Sequence, residues 1–82
     1  MSKESYGLTF YEYSQRFLDK HSPTGDLARD IRDDTTFPEL ACTHERIKSY
    51  LVYSNACEGA MKAFETMWKS YKAYMRRLGY GK

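Results

Sequence analysis

The sequence lacks any long hydrophobic run. Its longest stretch without a charged residue or histidine, from Ser49 to Cys57, has nine residues, whereas a membrane-spanning helix needs about 20. We therefore expect no membrane-spanning segment and no membrane partner. The first residues carry mixed charge and no apolar run follows them, so we also expect no signal peptide.

Cysteine and histidine are scarce, with two of each. A secreted chain of this size usually carries several cysteine pairs, so the sequence predicts a cytoplasmic protein with reduced thiols. Structural zinc sites usually contain two close pairs of ligands, and only Cys42 and His44 are close in this sequence. We therefore favour semi-buried thiols and surface histidines over a metal site, and we expect no cofactor. The four potential ligands are His21, Cys42, His44 and Cys57.

Motifs of the common enzyme classes are also missing. The chain contains no glycine-rich phosphate loop, no H-E-x-x-H and no G-x-S-x-G. Cys42 or Cys57 beside His44 resembles a nucleophile and its base, but nothing in the sequence orients such a base. The 82 residues suffice for one domain, residues 1–82 with an ordered core over about 8–78, whose small volume leaves little room for a cleft. We expect a non-enzymatic protein without a small-molecule substrate.

Helical patterns account for most of the chain, and no segment alternates as a half-buried strand does. A capping box of Thr9 and Glu12 predicts the start of the first helix, and the Ser22-Pro23 pair limits its end. Thr43 is a favourable N-cap for the third helix, and Gly79 is a natural residue to follow the fourth. The predicted helices cover residues 10–20, from 24 or 25 to about 33, 44–55 and 58–78.

Apolar residues at helical spacing predict one core, whose centre is the long fourth helix. Phe37 is a single large anchor in the loop between the second and third helices. Val52 and Tyr53 fall off the apolar face of the third helix, so they either meet another helix or lie exposed. Together with Tyr74, they are the candidates for exposed contact residues. The predicted core comprises Phe10, Tyr13, Phe17, Leu27, Ile31, Phe37, Ile47, Leu51, Phe64, Trp68 and Tyr71.

Five short strings carry a resemblance to a known family. They are Phe10-Tyr11, the run Gly25-Asp26-Leu27-Ala28-Arg29-Asp30, then Asp34-x-x-Phe37-Pro38, Ser49-Tyr50-Leu51, and Ala63-Phe64-x-x-x-Trp68-x-x-Tyr71. In this order and spacing, over about residues 8–74, the chain resembles the YozE family of small cytoplasmic proteins, mainly of Gram-positive bacteria. The resemblance implies an all-α fold, a compact four-helix bundle similar to sterile-alpha-motif domains. It implies no particular activity, because folds of this kind bind proteins, self-associate or bind nucleic acids.

The run from Gly25 to Arg29 has a structural explanation that needs no ligand. Gly25 permits a tight turn after Pro23, Asp26 favours the helix start, and Arg29 can pair with Asp26 or Asp33 at helical spacing. The alternative is an acidic and basic docking surface for a protein partner. The candidate residues of that surface are Asp26, Arg29, Asp30, Arg32 and the exposed Tyr53.

Charge is distributed unevenly along the chain. Residues 62–82 contain six basic residues and one acid, whereas residues 1–61 contain seven basic and ten acidic residues. This pattern favours a protein-interaction module, whose acidic second helix and basic fourth helix allow head-to-tail self-association. Nucleic-acid binding is the alternative, with Tyr74 and Tyr80 as stacking residues, and a merely solvated helix face explains the same charges. The candidate nucleic-acid face comprises Lys62, Lys69, Lys72, Arg76 and Arg77, with Lys82 near the end.

Overall fold

The chain folds into four α-helices around one core, as seen in a computed structural model that describes residues 8–79. A 3-10 turn, Gln15–Phe17, extends the first helix, and no strand occurs between residues 8 and 79. The predicted all-α class and the four-helix arrangement are confirmed. The helices are α1 (Phe10–Ser14), α2 (Pro23–Asp33), α3 (His44–Tyr53) and α4 (Glu58–Arg77).

The start of α1 has the predicted capping box. The Glu12 N–H donates to Thr9 Oγ1 at 3.2 Å, and the Thr9 N–H donates to Glu12 Oε1 at 3.0 Å. The predicted extent of this helix, to residue 20, is wrong, because regular α-helix ends at Ser14. The segment beyond the 3-10 turn is held by Arg29 instead, whose Nη1 donates to the carbonyl oxygens of Leu18 and Lys20 at 2.8 and 3.3 Å.

Helix α2 begins one residue earlier than predicted, with Pro23 at its first position and Ser22 as the N-cap. Gly25 is buried inside this helix, and a Cβ atom at that position would overlap the carbonyl oxygen of Lys20. The predicted role of Gly25, to permit a tight turn, is therefore wrong. Glycine is required there because the backbone of α2 lies against the backbone of the preceding loop.

The ends of α3 and α4 follow local rules. Thr43 caps α3 as predicted, and its Oγ1 accepts from the Arg46 N–H at 3.3 Å. Helix α3 ends at Tyr53, before the predicted residue 55, and Asn55 then takes a φ of 61°. Gly79 has a φ of 95° just beyond α4, which confirms its predicted place after the helix.

Helix α4 carries the centre of the core. The side chains of Phe10, Ile47, Phe64 and Met67 are fully buried, and the ring of Phe10 lies 5.6–5.7 Å from those of Phe64, Trp68 and Tyr71. Phe37 is buried, so its predicted role as a loop anchor is confirmed. The prediction missed Met67, which the spacing of α4 places on the buried face.

Two aromatic predictions differ from the structure. Trp68 and Phe17 are only half-buried, because each packs at the edge of the core rather than inside it. Tyr74, which we expected to be exposed, is 92% buried, with 8% of its surface accessible. Its ring lies 5.1 Å from that of Tyr13, and the Arg16 guanidinium lies 4.8 Å above it. A cation from the first helical segment therefore covers this tyrosine.

Candidate interaction surfaces

A shallow groove separates α2 from the end of α3 and the start of α4. We call it the acidic groove, because Asp26, Asp30 and Asp34 lie along its α2 wall and apolar side chains form its floor. Cys57 and Gly59, at the start of α4, lie on the opposite wall. The other lining residues are Pro23, Leu27, Ile31, Phe37, Tyr50, Leu51, Ser54, Ala56 and Ala60.

The three carboxylates of the groove differ in their partners. Asp34 accepts a hydrogen bond from the Tyr50 hydroxyl, and Thr36 donates to it from its backbone N–H at 2.9 Å and from its hydroxyl at 2.8 Å. These hydrogen bonds hold the pKa of Asp34 below its usual value, and the one from Tyr50 contributes most. Asp26 pairs with Arg29. Asp30 is exposed and has no hydrogen bond or ion pair with any residue in the described part of the chain.

The structure separates the members of the predicted docking surface. Asp26 and Asp30 line the groove, whereas Arg29, which pairs with Asp26 and bonds the loop carbonyls before α2, is not among the lining residues. Arg32 pairs with Asp33 at 3.0 Å. Tyr53 is 84% exposed on α3 and is not among the residues that line the groove.

Of the residues that line the groove, the predicted docking surface contained only Asp26 and Asp30, and it missed the polar residues Asp34 and Tyr50. The spacing of Asp26, Asp30 and Asp34, at four-residue intervals, is the signal that places the three acids on one side of a helix. Nothing in the sequence indicates that Tyr50 reaches Asp34, because sixteen residues and a loop separate them.

All five residues of the predicted nucleic-acid face are exposed on α4. Lys62 lies 3.9 Å from Glu58, so its charge is partly matched. Lys69, Lys72 and Arg76 share one side of the helix, whereas Arg77 lies about 100° around from Arg76. We call the first three the basic face. The predicted stacking role of Tyr74 is wrong because this ring is buried, while Tyr80 and Lys82 lie outside the described residues.

The potential metal ligands do not converge. Cys42 and Cys57 are free and exposed, and within residues 8–79 no three side chains of His, Cys, Asp or Glu group as a metal site would require. His44 instead links α3 to α4, because its Nε2 lies 3.0 Å from both carboxylate oxygens of Glu65. Its ring also packs 5.0 Å from that of Phe64.

The hydroxyl of Tyr71 has a structural role. It donates to the carbonyl oxygen of Leu8 at 2.8 Å, which ties the start of the described chain to α4. Burial raises the pKa of this hydroxyl, and the nearby Cys42 thiol adds to the shift. The hydroxyl therefore stays protonated at neutral pH and acts as a donor.

None of the helices found in residues 8–79 has the length and apolar character to cross a bilayer.

The sequence of this chain matches a known family. The model of the YozE SAM-like fold matches residues 9–73. The chain belongs to the YozE family. The predicted resemblance is thus confirmed, and the described fold is that of a YozE protein.

Two relatives are similar over nearly their whole length. The UPF0346 protein of Streptococcus mutans is 31% identical over 68 residues, which cover 80% of this chain and 96% of the relative. A UPF0346 protein of Lactobacillus acidophilus is 27% identical over 73 residues, which cover 87% of this chain and 96% of the relative. No solved structure matches the chain significantly.

Proposed function

We propose that this YozE protein is a non-catalytic interaction module that contacts another protein through its acidic groove. The observation that carries the proposal is Asp30, an exposed carboxylate that lines the groove and has no hydrogen bond or ion pair within residues 8–79. A carboxylate beside apolar side chains such as Leu27 and Ile31 suits a ligand that combines a cation with an apolar contact.

The chemistry of the groove supports binding rather than catalysis. No histidine lines it, so the Cys57 thiol on its wall has no neighbouring imidazole base. The Asp34 carboxylate is already held by three hydrogen bonds, which keep it ionised and fixed in place. Such a group contributes a steady negative potential that attracts a cationic protein surface. The proposal includes a cytoplasmic location, because both cysteines are unpaired.

Comparative affinity capture tests the proposed role. Tagged wild-type protein, Asp30→Lys and Lys48→Glu are used as baits in a lysate of the host organism, and the captured proteins are quantified. Lys48 is the matched control, because it is exposed on α3 outside the groove and also has its charge reversed. We expect at least one protein to bind wild type and Lys48→Glu but not Asp30→Lys. If no captured protein depends on Asp30, the groove is not a contact surface.

A second candidate function is nucleic-acid binding through the basic face. It is favoured by Lys69, Lys72 and Arg76, which are exposed and have no carboxylate partner within residues 8–79. Fluorescence anisotropy of a labelled duplex and a labelled single strand tests it. Binding that weakens steeply as salt rises, and that is lost in Lys69→Glu/Lys72→Glu, supports this function. No binding at low salt rejects it.

A further inference from the structure

The acidic groove and the basic face are two surfaces of opposite charge on one small domain, and within residues 8–79 neither Asp30 nor any cation of the basic face has a charged partner. We propose that the basic face of a second copy of this chain occupies the acidic groove, in a head-to-tail arrangement. This inference rests on the proposed function, since it names the partner of the same groove. It requires that the two surfaces cannot neutralise each other within one molecule and that their charges match in spacing.

Distance along α4 keeps the two surfaces apart within a molecule. Ala60 lies in the groove, and Lys72 is the central residue of the basic face, twelve residues further along the same helix. At 1.5 Å per residue this separation is about 18 Å. Screening by physiological salt acts over about 8 Å, and no ion pair joins the two surfaces within residues 8–79. Their natural complements must come from another molecule.

The local sequence makes each surface uniform in sign. Residues 66–79 contain the four cations Lys69, Lys72, Arg76 and Arg77 and no acid. On α2, Arg29 pairs with Asp26 and bonds the loop carbonyls, and Arg32 pairs with Asp33. Asp30 therefore has no cationic partner on α2. On α4, no carboxylate follows Glu65, so the segment that carries the basic face contains no acid.

The spacing of the charges also matches. Asp26, Asp30 and Asp34 extend over about 12 Å along α2, and Lys69, Lys72 and Arg76 extend over about 10.5 Å along α4. Ala73 is exposed beside these cations, and its small side chain allows α4 of the second copy to approach the wall of the groove. The three cations of one copy can thus lie along the row of carboxylates of the other, in which Asp26 pairs with Arg29, Asp34 accepts three hydrogen bonds and Asp30 is open to a new partner.

The two surfaces are different patches, so the contact is heterologous. A pair of copies keeps one free groove on one copy and one free basic face on the other, and further copies can add at either end. Association is therefore expected to continue past the dimer as concentration rises. Because the contact consists largely of charge pairs near water, it must weaken as salt increases.

Sedimentation velocity of the full chain tests the arrangement. We expect the average mass to rise between about 10 µM and about 1 mM protein in about 20 mM salt, and to return towards the monomer in about 300 mM salt. Asp30→Lys blocks the groove, and Lys69→Glu/Lys72→Glu blocks the basic face. Each variant alone is expected to stay monomeric at low salt, while Lys48→Glu associates as wild type does. Circular dichroism verifies that all the variants are folded.

Mixing the two blocked variants provides the decisive measurement. Asp30→Lys retains a basic face and Lys69→Glu/Lys72→Glu retains a groove, so an equal mixture is expected to form a complex that stops at two copies. A monomeric wild type at about 1 mM and low salt, or a mixture without a complex, overturns the inference. So does association that neither variant reduces.

The outcomes also separate this inference from the proposed function. If wild type stays monomeric but an unrelated protein binds in an Asp30-dependent manner, the groove is a contact surface and the second copy is not its occupant. If neither occurs, both proposals fail. Duplex binding by a monomeric wild type, lost in Lys69→Glu/Lys72→Glu, assigns the basic face to nucleic acid and overturns the head-to-tail contact.

Discussion

Helices α2 and α3 both pack against α4, but their positions are fixed by different means. Four of the eleven residues of α2 are buried, and one of them, Gly25, brings the backbone of α2 against the Lys20 carbonyl group of the preceding loop. Only two of the ten residues of α3 are buried, Ile47 and Leu51. The position of α2 thus depends on close backbone approach, whereas that of α3 depends on a few side chains.

Polar contacts compensate for the smaller buried face of α3. His44 reaches Glu65 on α4 from its first turn, and Tyr50 reaches Asp34 at the end of α2 from its last. The groove between the two helices therefore has one wall held by backbone packing and another held by side-chain anchors. Substitutions that affect either the backbone contact of α2 or the side-chain contacts of α3 test this difference between the two helices.

The largest effect is expected from the main anchor of α3. Ile47→Ala removes a fully buried side chain and leaves a cavity beside α4, which lowers the free energy of unfolding by about 3 kcal/mol. Urea denaturation followed by circular dichroism measures this change. Val52→Ala on the same helix is the control, because Val52 is 58% exposed and its truncation changes stability by less than about 0.5 kcal/mol. Equal losses in the two variants would contradict the anchor role of Ile47.

A smaller loss is expected where α2 depends on close approach. Gly25→Ala places a Cβ atom against the Lys20 carbonyl group, and the required shift lowers stability by about 2 kcal/mol. Gly59→Ala is the matched control in α4, where the nearest atom to a new Cβ is the Cys57 sulfur at 4.0 Å. There, alanine favours the helix and raises stability by about 0.5–1 kcal/mol. The same sign for both substitutions in thermal unfolding would refute the close contact.

The smallest effect concerns the polar link between α3 and α2. Tyr50→Phe removes the hydroxyl that donates to Asp34, which lowers the free energy of unfolding by about 1 kcal/mol at neutral pH. Tyr53→Phe, on the exposed side of the same helix, is expected to change nothing. A loss in the Tyr53 variant equal to that in the Tyr50 variant would disprove the link.

The pH dependence of the same pair sharpens this prediction. The hydrogen bonds to Asp34 lower its pKa in the folded state, so they favour folding above the unfolded pKa of about 4. This contribution is lost as pH falls through the lower pKa of the folded state. The difference between wild type and Tyr50→Phe should therefore narrow as the pH is lowered from about 4. A difference that stays constant as the pH is lowered would exclude a role for the ionised carboxylate.

Local signals predicted most of the helix ends. Thr9 with Glu12, Thr43 and Gly79 all act within a few residues, so the sequence around each suffices to place it. The first helix was too long in the prediction because its apolar spacing continues to Leu18. The competing hydrogen bonds from Arg29, eleven residues away, have no local signature.

The candidate surfaces were only partly predictable. Exposure of the lysines on α4 follows from the separation of its polar and apolar faces. The burial of Tyr74 was missed because it depends on Tyr13 and Arg16, which reach it from a distant segment. The sequence did not predict the acidic groove, because its floor and the wall opposite α2 are formed by residues of α3 and α4.

The sequence by itself determined the four helices, their caps, the family and the uneven distribution of charge, because each depends on residues close together in the chain. Tertiary structure alone decided that Gly25 lies against a backbone carbonyl and that Asp30 lies in a groove with no partner among residues 8–79. It also decided that the basic face lies far from that groove along α4. These features depend on which segments meet, and that is set by packing over the whole core rather than by any local pattern.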